Sequence, residues 1–222
     1  MSLTLAYERK AHPRILGALF LWIGENPYLC RNKSQNHTNM KNILFIVGSL
    51  RKQSFNRQLA ALAEKMLAGR YNITYLTFED VPLMNQDLEA SVPAAVSRVR
   101  KEVLAADGIW IFTPEYNFSY PGLLKNLFDW LSRPMDISNF AGPSAVVGKK
   151  VTASGAGGKN KTMSCRAKLN ELLEFIKMDV MKEPQTGITL GVEAWTKGEF
   201  SLTEEQMTQL KEQAEEFVEF VG

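Results

Sequence analysis

Histidine and cysteine are scarce in this chain of 222 residues, and their positions exclude several kinds of chemistry. The two histidines, His12 and His37, both lie before Met40, which leaves none for catalysis or metal binding in the rest of the sequence. The two cysteines, Cys30 and Cys165, are far apart and match no metal-binding or redox spacing. Two unpaired thiols are typical of a reducing compartment, and we therefore expect a cytoplasmic protein.

Strong charge and long apolar segments are also absent. The formal net charge is +2 and basic residues form only short clusters, so the sequence does not favour a nucleic-acid partner. The longest apolar run, residues 15–23, is shorter than the ~20 residues needed to cross a bilayer, and we expect no membrane association. A cleaved signal peptide is the less favoured interpretation of this run, because polar, turn-rich sequence rather than a small-residue cleavage site follows it.

A domain boundary is expected at Met40. Met40, Lys41 and Asn42 directly precede the first strand-like segment, as a natural start would. We expect residues 1–39 to be an N-terminal extension that is poorly ordered or not native. Residues 40–222 are long enough to form one domain with its own core.

Strand-like and helix-like patterns alternate from Met40 onward. Apolar or β-branched segments predict four strands, at residues 43–47, 72–78, 109–112 and 148–154, and a short fifth near Val180 or 187–190. Amphipathic helices follow, the first capped by Ser54 or Asn56 and the last by Thr203. This alternation predicts an α/β protein with a parallel sheet and helices on both faces. The loops after strands one, three and four should then meet at one edge of the sheet.

The loop after the first strand, GSLRKQSFN at residues 48–56, has the composition of an anion site. Hydroxyl groups, a guanidinium and the N-terminus of the following helix all supply donors to a negative group. The loop matches neither the dinucleotide fingerprint nor the Walker motif, because their further glycines and Gly-Lys-Ser/Thr are missing. It favours a terminal phosphate over a bridging pyrophosphate. The alternative is an ordinary capped helix start.

The two other loops have features that suit a flat ring. TPEYNFSYPG, residues 113–122, combines stiffening prolines with three aromatic side chains. SGAGG, residues 154–158, would let the backbone approach a ligand closely in a turn. The alternatives are a structural loop packed on its own sheet and a flexible turn. Taken together, the three loops predict a phosphate at one end and a heteroaromatic ring at the other, which is the shape of flavin mononucleotide (FMN).

In order and spacing, GSLRKQSFN, TPEYNFSYPGLLKNLFDW and SGAGG resemble the NADPH-dependent FMN reductase family over about residues 40–190. The resemblance implies a flavodoxin-like fold, a doubly wound five-stranded parallel sheet in the order 2-1-3-4-5. It implies bound FMN as cofactor, NADPH or NADH as co-substrate, and a homodimer or homotetramer.

The resemblance also implies roles for individual residues, and none of them is a catalytic acid or base. The FMN phosphate would be held by Ser49, Arg51, Ser54, Phe55 through its backbone, and Asn56. The isoalloxazine ring would be bordered by Pro114, Glu115, Tyr116, Asn117 and Phe118. Its other edge or the ribityl chain would be flanked by Ser154, Gly155 and Gly157. Glu115 is expected to orient its neighbours rather than to transfer protons.

The expected function is an FMN-dependent oxidoreductase that passes hydride from NAD(P)H to a small acceptor by a ping-pong mechanism. The family's acceptors include flavins, quinones, azo compounds and metal oxyanions. One alternative is a flavodoxin-like electron carrier without NAD(P)H reductase activity, although carriers are typically acidic and this chain is mildly basic. Another is a paralogue that keeps the fold without turnover.

Overall fold

The computed structural model describes residues 40–222, which fold around a parallel β-sheet. The predicted extension, with His12, Cys30 and His37, lies outside the described residues, and the domain boundary stays a prediction. The strands are β1 (Asn42–Val47), β2 (Asn72–Tyr75), β3 (Gly108–Phe112), β4 (Lys150–Gly157), β5 (Asp179–Val180) and β6 (Gly187–Thr189). The helices are α1 (Phe55–Leu67), α2 (Ala94–Ala105), α3 (Gly122–Leu131), α4 (Met163–Phe175), α5 (Val192–Lys197) and α6 (Glu204–Val221), with a 3₁₀ helix at Gln86–Ser91.

The sheet has the strand order β2-β1-β3-β4-β5, and every pairing is parallel. This arrangement confirms the doubly wound α/β fold and the flavodoxin-like order. The carboxyl ends of the central strands are level, since Val47 pairs with Phe112 and Phe112 with Ser154. The loops that follow β1 and β3 therefore leave the sheet side by side.

The end of the fourth strand differs from the prediction. β4 extends through Gly155, Ala156 and Gly157 because β6 pairs with this segment. The Gly155 N–H donates to the Thr186 carbonyl at 3.0 Å, and the Leu190 N–H donates to the Gly157 carbonyl at 2.8 Å. The predicted glycine turn at 155–158 is thus wrong for its first three residues. Both candidate positions for the last strand are occupied, by β5 and β6, while β2 ends at Tyr75, short of the predicted residue 78.

Two hydrophobic cores lie on opposite faces of the sheet. Along β1, Leu44 and Ile46 face the core formed with α2, α3 and α4, whereas Ile43 and Phe45 face the core formed with α1 and α6. A strand buried on both faces needs apolar side chains at successive positions, which explains the uninterrupted apolar run.

Helix caps fix the start of the first and last helices. The Ser54 hydroxyl accepts a hydrogen bond from the Arg57 N–H at 3.3 Å, so α1 begins directly after the loop that follows β1. Thr203 and Gln206 form a reciprocal capping box on α6. None of the helices within residues 40–222 combines the length and the hydropathy that a bilayer crossing requires.

Candidate functional site

A cavity of about 300 Å³ lies at the carboxyl edge of the sheet, where three segments meet. The loop after β1 and the first turn of α1 contribute Ser49, Arg51, Ser54, Phe55 and Asn56. The loop after β3 contributes Pro114, Glu115 and Tyr116. The end of β4 and the residue after it contribute Ala156, Gly157 and Gly158, and α5 contributes Trp195. Nine of the predicted site residues therefore line one cavity. A larger cavity, of about 420 Å³, lies beside α5 and contains none of the predicted residues.

The first loop presents hydrogen-bond donors to the cavity. The N–H groups of Phe55 and Asn56 lie in the first turn of α1, where a helix offers them no internal acceptor. The Arg51 guanidinium lies 4.7 Å from the centre of the Phe55 ring, and no carboxylate within residues 40–222 pairs with it. Free amides at a helix N-terminus and an uncompensated guanidinium together suit a phosphate.

The Asn56 side chain links α1 to β4. This amide is buried, and it both donates to the Ala156 carbonyl at 3.1 Å and accepts from the Ala156 N–H at 2.8 Å. The pair of bonds fastens the start of α1 to the end of β4. The Asn56 backbone N–H, in the first turn of α1, is not used by these two bonds.

The Glu115 carboxylate holds the second loop against α4. It accepts from the Cys165 N–H at 2.9 Å and from the Asn160 amide at 3.1 and 3.2 Å. Thr162 directly precedes α4, and its side chain forms no capping hydrogen bond within the described part of the chain. Glu115 therefore supplies the acceptor that a capping side chain would otherwise supply.

The tip of the second loop is a tight turn. Tyr116 and Ser119 exchange backbone hydrogen bonds of 2.9 and 3.0 Å, and both central residues, Asn117 (φ 51°) and Phe118 (φ 58°), are left-handed, as a type I′ turn requires. Tyr116 borders the cavity, while Asn117 and Phe118 are not among the residues that line it. Their predicted contact with the ring stays a prediction.

Ser154 and Gly155 belong to the sheet rather than to the cavity wall. The buried Ser154 hydroxyl accepts from the Trp110 indole at 2.9 Å and donates to the Gln213 side chain at 2.7 Å. A Cβ added to Gly155 would collide with the Thr113 carbonyl and the Thr162 hydroxyl. Gly155 is therefore needed for close packing beneath the site, and Gly157 alone of the three borders the cavity.

Trp195 is a cavity residue that the sequence pattern does not reveal. Its indole meets the Phe55 ring edge-on, with ring centres 5.1 Å apart, and remains about half exposed. It lies on α5, a helix of six residues that is too short to show a helical period. The one feature of the sequence that could have pointed to this residue is a single tryptophan between Gly191 and Gly198.

The one cysteine of residues 40–222, Cys165, lies beneath the second loop. It is buried, and burial raises the pKa of its thiol to about 11, so it stays protonated at neutral pH. The described part of the chain contains no group of three or more histidine, cysteine or acidic residues arranged to hold a metal.

The chain is similar in sequence to known reductases. The NADPH-dependent FMN reductase family profile matches residues 41–193. A 2-hydroxy-1,4-benzoquinone reductase from a Burkholderia species is 34% identical over 144 residues, which span 64% of this chain and 75% of that protein. A quinone reductase from Pseudomonas putida is 36% identical over 145 residues, with coverage of 64% and 75%.

A solved structure of a flavoenzyme is also similar to this chain. The flavoenzyme NAD(P)H:(acceptor) oxidoreductase from Paracoccus denitrificans superposes with a TM-score of 0.72 at 30% identity, covering 82% of this chain and 97% of that one. The profile spans well over half of the sequence and includes all three loops that form the cavity. This chain belongs to the NADPH-dependent FMN reductase family.

Proposed function

We propose that the protein is an FMN-dependent oxidoreductase that passes hydride from NAD(P)H through bound FMN to a small acceptor of the quinone class. The observation that carries the proposal is that one cavity is lined on one side by groups suited to an anion and on the other by aromatic and glycine residues. The quinone class follows the names of the similar proteins from Burkholderia and Pseudomonas putida.

The residues present fit FMN. The phosphate would lie against the Phe55 and Asn56 N–H groups, with the Arg51 guanidinium balancing its charge. The ring would lie between Pro114–Tyr116 and the bare backbone of Gly157 and Gly158. When bound, FMN supplies the site that accepts and returns hydride. The protein's own part is to bind, orient and shield, since no acid or base is assigned.

The cavity's size supports an alternating scheme. About 300 Å³ is at the lower end of ligand pockets, which span roughly 300–1,000 Å³. With FMN in place, NAD(P)H and the acceptor would compete for the remaining mouth near Tyr116 and Trp195. We therefore propose that the two substrates bind in turn, as in a ping-pong mechanism.

Reconstitution with FMN tests the proposal. The purified full chain should bind FMN, NADPH or NADH should bleach the flavin absorbance, and an added quinone should restore it. Steady-state rates with quinones, free flavin, azo dyes and metal oxyanions would rank the acceptors, and parallel-line kinetics would support alternate binding. Flavin that is bound but never bleached by either nicotinamide would favour the electron carrier, and failure to bind FMN would refute the cofactor assignment.

A further inference from the structure

A second, smaller cavity of about 190 Å³ lies between the 3₁₀ helix, α2 and the segment that follows α3. It shares no lining residue with the candidate flavin cavity. Three charged side chains border it, Glu89, Arg100 and Arg133.

The charges in this cavity do not balance. Arg133 is joined to Glu89 by two hydrogen bonds, 2.6 Å from Nε to one carboxylate oxygen and 3.1 Å from Nη2 to the other. That carboxylate is therefore already engaged. Arg100 is only 6% exposed and makes one hydrogen bond, from Nη2 to the Trp130 carbonyl at 3.2 Å. Within residues 40–222, the Arg100 guanidinium is thus left without a carboxylate partner.

Arg100 has both a buried charge and a hydrogen-bond donor without an acceptor. Its Nε is buried and has no hydrogen-bond partner among the described residues. Burial lowers the pKa of Arg100, as does the nearby Arg133, while Glu89 opposes the shift. A guanidinium nevertheless stays charged in proteins, and a carboxylate matches its fork of donors better than a neutral group does. A carboxylate that enters the cavity beside Arg100 would balance this charge.

The rim of the cavity is apolar. Met135, Ile137 and Phe140 line it and remain exposed, with Phe140 exposed by 74%. They lie on one segment whose ends are joined by a bridge between Pro134 and Ser144. A ligand that reaches Arg100 would rest its remaining atoms against these side chains. The volume restricts that ligand to a small molecule, since cavities that hold drug-sized ligands measure roughly 300 Å³ or more.

We propose that this cavity binds a small carboxylate with an aromatic or aliphatic body, the carboxylate on Arg100 and the body against Met135, Ile137 and Phe140. The site is separate from the one that defines the proposed function, and it requires neither FMN nor NAD(P)H.

Benzoate is a suitable probe, and the FMN-loaded full chain is the protein to titrate. Ligand-observed NMR should show saturable benzoate binding, with much weaker binding of neutral benzamide and of acetate, which lacks the apolar body. Arg100→Gln removes the charge and should weaken benzoate binding by roughly tenfold or more. Arg98→Gln is the matched control, because Arg98 lies on the same helix but is partly exposed and is paired with Asp80 and Glu102.

Four results would overturn the proposal, and the first three concern affinity. They are no saturable benzoate binding to the unmodified protein, equal affinity for benzoate and benzamide, and equal affinity in the Arg100→Gln and Arg98→Gln variants. Loss of benzoate binding in Arg51→Ala would place the ligand in the candidate flavin cavity and would also refute it. If Arg100→Gln fails to fold, Ile137→Asp replaces it, because an acidic rim should repel benzoate without disturbing a buried residue. Flavin content and NADPH oxidation, measured in parallel, report on the proposed function separately.

Discussion

The Glu115 carboxylate accepts a hydrogen bond from the backbone N–H of Cys165, the third residue of α4, at 2.9 Å. A loop that follows β3 thus caps a helix that follows β4. Because Glu115 also borders the candidate flavin cavity, the cavity wall and the helix start depend on the same side chain.

Replacing Glu115 should therefore affect stability and flavin affinity together. Glu115→Ala should lower the free energy of unfolding by about 1–2 kcal/mol, the usual cost of a lost cap, and should weaken FMN binding. Glu115→Gln keeps an oxygen acceptor and should lose less of both. Urea denaturation and a fluorescence titration with FMN measure the two effects. Full stability in the alanine variant would show that the capping bond contributes nothing.

Asn56 should be more sensitive than an exposed asparagine. Asn56→Ala leaves the N–H and the carbonyl of Ala156 buried without partners, at about 1–3 kcal/mol for each group. Asn72→Ala is the control, because the Asn72 side chain forms its hydrogen bonds at the exposed end of β2. Urea denaturation should show a loss of several kcal/mol for Asn56→Ala and little for Asn72→Ala. Similar losses in both would contradict a buried fastening role.

The fold was largely predictable, because it depends on local patterns. The apolar runs at 43–47 and 109–112 correspond to β1 and β3 nearly residue for residue, and Ser54 was one of two candidates for the cap of α1. The strand order follows from such central, doubly buried strands and the family resemblance. The domain boundary at Met40 and a homo-oligomeric state stay predictions, and light scattering would test the latter.

The site was predictable in its loops but not in its details. β4 continues through Gly155–Gly157 only because β6 pairs with it, which is a tertiary contact that glycine content does not reveal. The Asn56 side chain bonds to Ala156, a residue 100 positions away in sequence. Partners at such separation leave no periodic signal in the sequence. A polar residue near a loop can therefore be predicted to bind the cofactor even where its side chain forms a structural hydrogen bond.

Arg51 should matter for FMN more than its neighbour Lys52. Arg51 lines the candidate cavity and is oriented over the Phe55 ring, whereas Lys52 is exposed and is not among the lining residues. Arg51→Ala should weaken FMN binding by a few kcal/mol, since charge-assisted hydrogen bonds are worth about 1.5–3 kcal/mol each. Lys52→Ala should bind FMN nearly as well as the unmodified protein, apart from a small loss at low salt. Equal affinity in the two variants would refute the assignment of the phosphate to this loop.

Cys165 should make stability fall at alkaline pH. Burial raises the pKa of its thiol to about 11, above the ordinary value of 9.0 that applies in the unfolded chain. A group whose pKa is raised by folding contributes its stability below the unfolded value and loses it as the pH rises toward the folded value. Between pH 9.0 and about 11, the unfolded chain therefore gains a thiolate that the folded protein resists.

The Cys165→Ala variant isolates this effect, because every other titrating group, Cys30 included, is common to both proteins. From pH 9 upward, the unmodified protein should lose unfolding free energy more steeply than the variant, and below pH 8 the two slopes should coincide. Urea denaturation across this range measures both. Parallel slopes throughout would mean that the thiol ionises equally in the folded and unfolded states, which would contradict its placement beneath the loop that carries Pro114 and Glu115.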